Sequence, residues 1–247
     1  ADTLKLFWDG RSKSLEDQAL RPVEDPIELH NTWVNALADL KADAEYPALF
    51  RKAFGITNKR EITKELAAKA MAQFERILIS SGNSVYDQYL VTGDANVFTD
   101  EQLSGKLMFN DEGEAIGLPP AECFHCHGSL TLAVGRGFFN NGLDDINTIS
   151  DLGLAEVTGK ALDRGKFRAP SLRNIVFSAP YMHDGRFQTL EQVIDQYFHH
   201  TKLADNQIPF MATLHYNSDK FKPEHHAAIL AFLQTLTDTT FINNPDI

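Results

Sequence analysis

The sequence predicts an all-α fold with long loops. Three observations carry that prediction. First, apolar residues recur at helical spacing: Leu66, Ala70, Phe74 and Ile77 within Glu61–Ile79 fall on one face. Second, helix-start signals precede such runs. Thr99-Asp100-Glu101-Gln102 puts acidic residues in a first turn, and Thr189 is placed to cap a helix carrying Leu190, Val193, Ile194 and Tyr197. Pro223 sits at a first turn ahead of Ile229, Leu230, Phe232, Leu233 and Leu236. Third, Asn110–Pro120 and Gly128–Gly165 are rich in Gly, Asn, Asp and Pro and read as loops. Loops of that length inside a compact domain are usually functional or disordered. The run Thr92–Asn96 suggests a boundary, giving domains 1–95 and 96–247. The sequence shows no internal repeat and no low-complexity tract.

Length and composition bound the rest. The 247 residues suffice for one large domain or two small ones, and 43% apolar content supports a core. A net charge of −11 argues against a nucleic-acid partner. It suits steering of a basic redox protein, although acidity commonly serves solubility alone. No apolar run is long enough to span a bilayer, and no signal peptide is visible at Ala1.

The most specific local signal is Cys123-Phe124-His125-Cys126-His127. The pattern C-x-x-C-H is the attachment signature of a c-type haem. Two thiols three positions apart on one helical turn reach the two vinyl groups of a porphyrin, and the histidine that follows becomes the proximal iron ligand. A redox C-x-x-C pair needs no adjoining histidine and usually opens a βαβ unit. A zinc site wants a second ligand pair at matching spacing. The motif uses both cysteines of the chain, and a cytochrome-c-like architecture follows. Covalent haem attachment takes place outside the bacterial cytoplasm, so a periplasmic location is expected.

With that motif in place, other segments resemble the bacterial dihaem cytochrome c peroxidase family, which includes MauG-like enzymes. They are Leu6–Arg11 (LFWDGR), Ser14–Ala19 (SLEDQA), Pro22–Glu28 (PVEDPIE), Cys123–Gly128 (CFHCHG), Gly165–Asn174 (GKFRAPSLRN), Ala179–Gly185 (APYMHDG) and Ala228–Leu236 (AILAFLQTL). They follow family order from end to end. The resemblance implies two haems, each with its own C-x-x-C-H, the first attached upstream of F-W-D-G-R. The expectation is therefore one haem c in this chain and a second on an absent N-terminal segment; loss of the first haem is the alternative.

The resemblance also assigns roles. Gln18 and Glu28 match a distal glutamine and an acid-base glutamate, and Pro22 matches a distal-pocket proline. Trp8 matches a tryptophan that relays electrons or holes between the haems, whereas alone it reads as plain core. Arg168 and Arg173 flank a proline turn and suit haem propionates; surface charge is the competing reading for at least one. Carbonyls at Ser178 and Pro180 match part of a calcium site. His183 reads as a haem-edge residue or an ordinary satisfied histidine.

The sixth iron ligand has several candidates. Met182 suits a His/Met cytochrome, and Met211 is a second methionine. Counting without gaps from Ala179, the family's ligand position falls on Tyr197, where MauG-like members carry tyrosine. Without the family, Tyr197 reads as a core tyrosine. With it, Tyr197 is the expected axial ligand. A phenolate lowers the iron potential and suits storage of an oxidising equivalent.

The expected activity is peroxide reduction with electrons from a small cytochrome c or cupredoxin. A MauG-like oxidation of Trp or Tyr residues on a partner protein is the second reading, and a one-haem electron carrier the third. The resemblance allows a homodimer. His199, His200, His225 and His226 form two adjacent pairs, read as exposed helix-end residues and not as ligands.

Overall fold

The computed structural model describes residues 5–80, 82–128, 132 and 137–245. It is all-α apart from a two-stranded ribbon, and it divides into two compact units. The first holds Arg11–Ile79 with the chain up to Phe7; the second holds Trp8–Gly10 and resumes at Ser80.

The first unit comprises α1 (Leu15–Glu24), α2 (Trp33–Ala42), α3 (Tyr46–Phe54) and α4 (Lys64–Ile77). Each of α1, α2 and α4 starts at a Ser or Thr whose side chain accepts a backbone N–H of the first turn. Helix α4 lies against α1, with Ala67, Ala68 and Ala72 of α4 and Ala19 and Val23 of α1 buried. Small side chains allow that close approach. The apolar face expected from Phe74 and Ile77 is instead about half exposed, at 52% and 50%. The helix is where its periodicity puts it, but the partner selects the alanine face. Val23, Trp33, Phe50 and Ile62 form the core, and the Trp33 indole donates to the Leu20 carbonyl at 3.0 Å.

The second unit comprises α5 (Val85–Thr92), α6 (Asp100–Phe109), α7 (Phe124–His127), α8 (Leu154–Thr158), α9 (Leu190–His199), α10 (Pro209–Tyr216), α11 (Pro223–Gln234) and α12 (Thr239–Ile242). Strands β1 (Phe138–Phe139) and β2 (Phe167–Arg168) pair antiparallel, Phe138 opposite Arg168. Capping boxes at Thr99 and Thr189 open α6 and α9, as the sequence predicts. The core gathers Met108, Phe109, Phe198, Phe232 and Leu236, with α6 packed on α11. Gly105 makes that contact possible: a Cβ there would lie 1.9 Å from the Ala228 carbonyl oxygen.

The division falls after Ile79 and not within Thr92–Asn96. The polar run only ends α5. That helix belongs to the second core, because the Tyr86 ring meets Phe232 edge-on at 5.5 Å and its N–H donates to the Thr235 carbonyl. The second predicted loop contains β1 and α8; its residues 129–131 and 133–136 lie outside the described residues.

Candidate haem site

The second unit encloses a mostly apolar cavity of about 410 Å³. Cys123, Cys126 and His127 reach it from α7. This one-turn helix is closed by the His127 N–H donating to the Cys123 carbonyl at 3.0 Å. Gly128 ends it where a Cβ would lie 2.2 Å from the Phe124 carbonyl oxygen. Both thiols are free, and burial pushes them up, Cys126 to about 12.

His127 is fixed by the proline turn. Its Nδ1 lies 3.1 Å from the Pro170 carbonyl oxygen, a contact in which Nδ1–H donates. Burial lowers the imidazole to about 4, so it is neutral near pH 7. The proton on Nδ1 leaves Nε2 as the ligand atom, the arrangement metal-bound histidines require.

Leu190, Val193 and Ile194 of α9 and Met211 of α10 supply apolar wall. Tyr197 lines the same cavity, on the face predicted for it. Its hydroxyl accepts a hydrogen bond from Asn141 Nδ2 at 3.3 Å, and Met182 Sδ lies 3.7 Å from that same amide nitrogen. Burial raises Tyr197 to about 12, with the Asn141 bond opposing it. Met182 has a φ of 73°, a left-handed conformation uncommon outside glycine and often found at functional sites. The two candidate ligands thus converge on one asparagine that no sequence signal singled out.

Arg168 lines the cavity, and its buried Nε has no hydrogen-bond partner among the described residues. Its backbone N–H donates to the Trp8 carbonyl at 2.9 Å. Arg173 also lines the cavity, and both of its terminal nitrogens hold the Asp87 carboxylate, one at 2.9 Å. It ties the proline turn to α5. Trp8 lines the cavity at 40% exposure, so the plain-core reading fails. His183 stacks on Phe167, 3.6 Å between ring centres, and burial lowers its pKa.

The chain's residues fit a haem on observations of this structure. Two thiols and a neutral imidazole face an apolar cavity, and at its wall stands a guanidinium whose buried Nε has no partner among the described residues. Cys123, Cys126 and His127 would hold the group, and Arg168 would meet a carboxylate of it.

A carboxylate cluster that the sequence reading missed flanks the attachment turn. His125 Nε2 lies 2.9 Å from Glu122 and 3.3 Å from Asp111, and its ring stacks on Phe210. Burial first, then the Asp111 charge, raises Glu122 to about 7. Glu122 and His125 are near in sequence, but Asp111 lies eleven residues before Glu122, so the three leave no motif.

Gln18, Pro22 and Glu28 belong to the first unit. Gln18 and Pro22 stand one turn apart on α1, and the Pro22 carbonyl accepts the Leu29 N–H at 3.1 Å. Glu28 is exposed in the turn after α1, its N–H donating to Asp25. Ser178 and Pro180 are exposed in the second unit. No helix among the described residues is long and apolar enough to cross a membrane.

An all-helical fold around such a cavity is that of a c-type cytochrome domain. The family described as di-haem cytochrome c peroxidase matches residues 2–96. Cytochrome c551 peroxidase of Nitrosomonas europaea is 32% identical over 95% of this chain and 62% of its own length. The methylamine utilization protein MauG of Methylophilus methylotrophus is 32% identical over 78% of this chain and 53% of its own. Among solved structures, a MauG-like protein associated with microbial copper homeostasis superposes with a TM-score of 0.81 at 32% identity, covering 98% of this chain and 74% of that one. The diheme peroxidase BthA of Burkholderia thailandensis, at 22% identity and TM-score 0.71, shares the fold. The chain belongs to the dihaem cytochrome c peroxidase family, MauG-like members included. It spans roughly two fifths to three fifths of the length of the first curated relatives it matches.

Proposed function

We propose that this chain is part of a periplasmic peroxidase-type oxidoreductase carrying haem c on Cys123, Cys126 and His127. The observation that supports this most is His127 at the cavity, its Nδ1 3.1 Å from the Pro170 carbonyl oxygen and its Nε2 left for iron. The haem supplies one-electron chemistry, so that hydrogen peroxide, two electrons and two protons become two waters. Glu28 carries a proton from one peroxide oxygen to the other. Gln18 donates a hydrogen bond to the oxidant, and Pro22 shapes the wall beside it. Trp8 would pass electrons, and Arg168 would balance the charge of a propionate. Tyr197 would be the second residue to hold the iron in this reading, with Met182 as the alternative. A small cytochrome c or cupredoxin is the electron donor, a second haem is expected on an upstream segment, and a homodimer is compatible with the family. Carbonyls of Ser178 and Pro180 contribute to a calcium site; two carbonyls are fewer than calcium's six to eight oxygens, so other ligands must complete it.

Tyr197 at the cavity favours a second reading, a MauG-like oxidation of Trp or Tyr side chains on a partner protein. The haem-loaded protein, assayed with peroxide and reduced cytochrome, separates the two. Turnover that is lost in Glu28→Gln supports the peroxidase. A partner that gains oxygen mass without cytochrome turnover supports the MauG-like reading. A denatured mass showing a single haem on the native protein, with no peroxide turnover, leaves an electron carrier.

A further inference from the structure

We propose that Asp195, His199 and His226 form a surface site for a borderline divalent cation of the Zn²⁺ or Cu²⁺ type, separate from the haem cavity. This goes beyond the proposed redox function. It also revises the sequence reading of the paired histidines as exposed helix ends without ligand character. Asp195 and His199 stand one turn apart on α9, and His226 comes from the first turn of α11. One ligand atom from each of the three lies within 4.8 Å of the others.

The imidazole geometry carries the inference. The two Nε2 atoms face each other at 3.1 Å, with the rings 23° from parallel. Two nitrogens bound to one tetrahedral ion at about 2.05 Å stand about 3.3 Å apart. A small rotamer adjustment therefore admits an ion between them. The only arrangement without an ion is one imidazole donating to the other. Two nitrogens and one carboxylate oxygen suit Zn²⁺ or Cu²⁺ and are a poor set for Ca²⁺ or Mg²⁺. Asp195 already has an outer partner, His200 Nε2 at 3.1 Å, which orients its carboxylate as outer-shell groups do in metal sites. His225 is not part of the cluster, because its Nδ1 accepts the Lys222 N–H at 3.1 Å.

Such an ion would clamp α9 to α11. On α9, residues 195 and 199 lie on one side and Tyr197, two positions from each, on the side that lines the haem cavity. The site is thus open to added metal while the haem is in place.

The test titrates the haem-loaded protein with Zn²⁺ alone, and separately with Cu²⁺, following heat of binding and metal content after gel filtration. One ion per chain is expected, with affinity weakened at least about tenfold in His199→Ala and in His226→Ala. His225→Gln should bind as the parent does. Cu²⁺ bound by the parent should show nitrogen hyperfine coupling from two imidazoles in electron paramagnetic resonance. No binding by the parent, or equal binding by parent and His199→Ala, overturns the proposal. His199 is exposed, so its replacement does not disturb the core and keeps the test readable if His226→Ala folds poorly.

Discussion

Asn141 Nδ2 donates to the Tyr197 hydroxyl at 3.3 Å, on the wall of the cavity that receives His127. Met182 Sδ shares the same donor at 3.7 Å. One amide therefore organises both candidates for the iron's sixth position, and their replacement separates them.

In the haem-loaded protein, Tyr197→Phe is expected to raise the reduction potential, because a charge-donating phenolate is lost. Met182→Leu is expected to leave it unchanged. Potentiometric titration reads both. A potential that falls in Met182→Leu, with a methionine–iron band lost, would reverse the assignment.

Glu122 makes stability depend on pH. Its folded pKa, about 7, lies above the ordinary 4.5. Its contribution is therefore fully present below pH 4.5 and is lost as pH rises through 7. Asp111→Asn removes the neighbouring charge yet keeps an oxygen for the Glu122 N–H, which Asp111 accepts at 2.9 Å. Denaturant unfolding between pH 4.5 and 8 should show a smaller loss in the variant than in the parent. Parallel curves would mean that the two carboxyls do not interact.

Arg173 and Asp87 form a largely buried pair, with side chains 17% and 8% exposed. Arg173→Leu leaves the Asp87 carboxylate its Ser84 hydrogen bonds but no countercharge, and should cost about 3 kcal/mol of unfolding free energy. Arg186 with Asp144 is a more exposed pair, and Arg186→Ala should cost up to about 1 kcal/mol. Equal losses would contradict the role of burial.

Gly105→Ala should force α6 away from Ala228 and destabilise by about 1–3 kcal/mol. In a chain of this size that lowers the melting temperature by a few degrees or more per kcal/mol lost. An unchanged melting curve would show that the α6–α11 contact yields without strain.

Much of the site was legible before any coordinates. Cys123, Cys126 and His127 carry a motif because their chemistry depends on spacing along one helical turn. The caps at Thr99 and Thr189 were legible for the same reason: they are local. Tyr197 could be placed on an inward face by periodicity alone. Asn141, Glu122 and Asp111 left no such mark, since each acquires its partner through folding. Arg168 and Arg173 illustrate the limit. They are five residues apart, chemically alike and both at the cavity, yet the buried Nε of Arg168 has no partner among the described residues and Arg173 is bound to Asp87.

The sequence by itself determined the helical class, the family and the haem-attachment turn, because these rest on residue type and short-range spacing. Tertiary structure decided which face of α4 is buried, where the chain divides, and which polar groups stay unpaired. Those outcomes follow from close packing and from desolvation of charge, and both depend on neighbours that are distant along the chain.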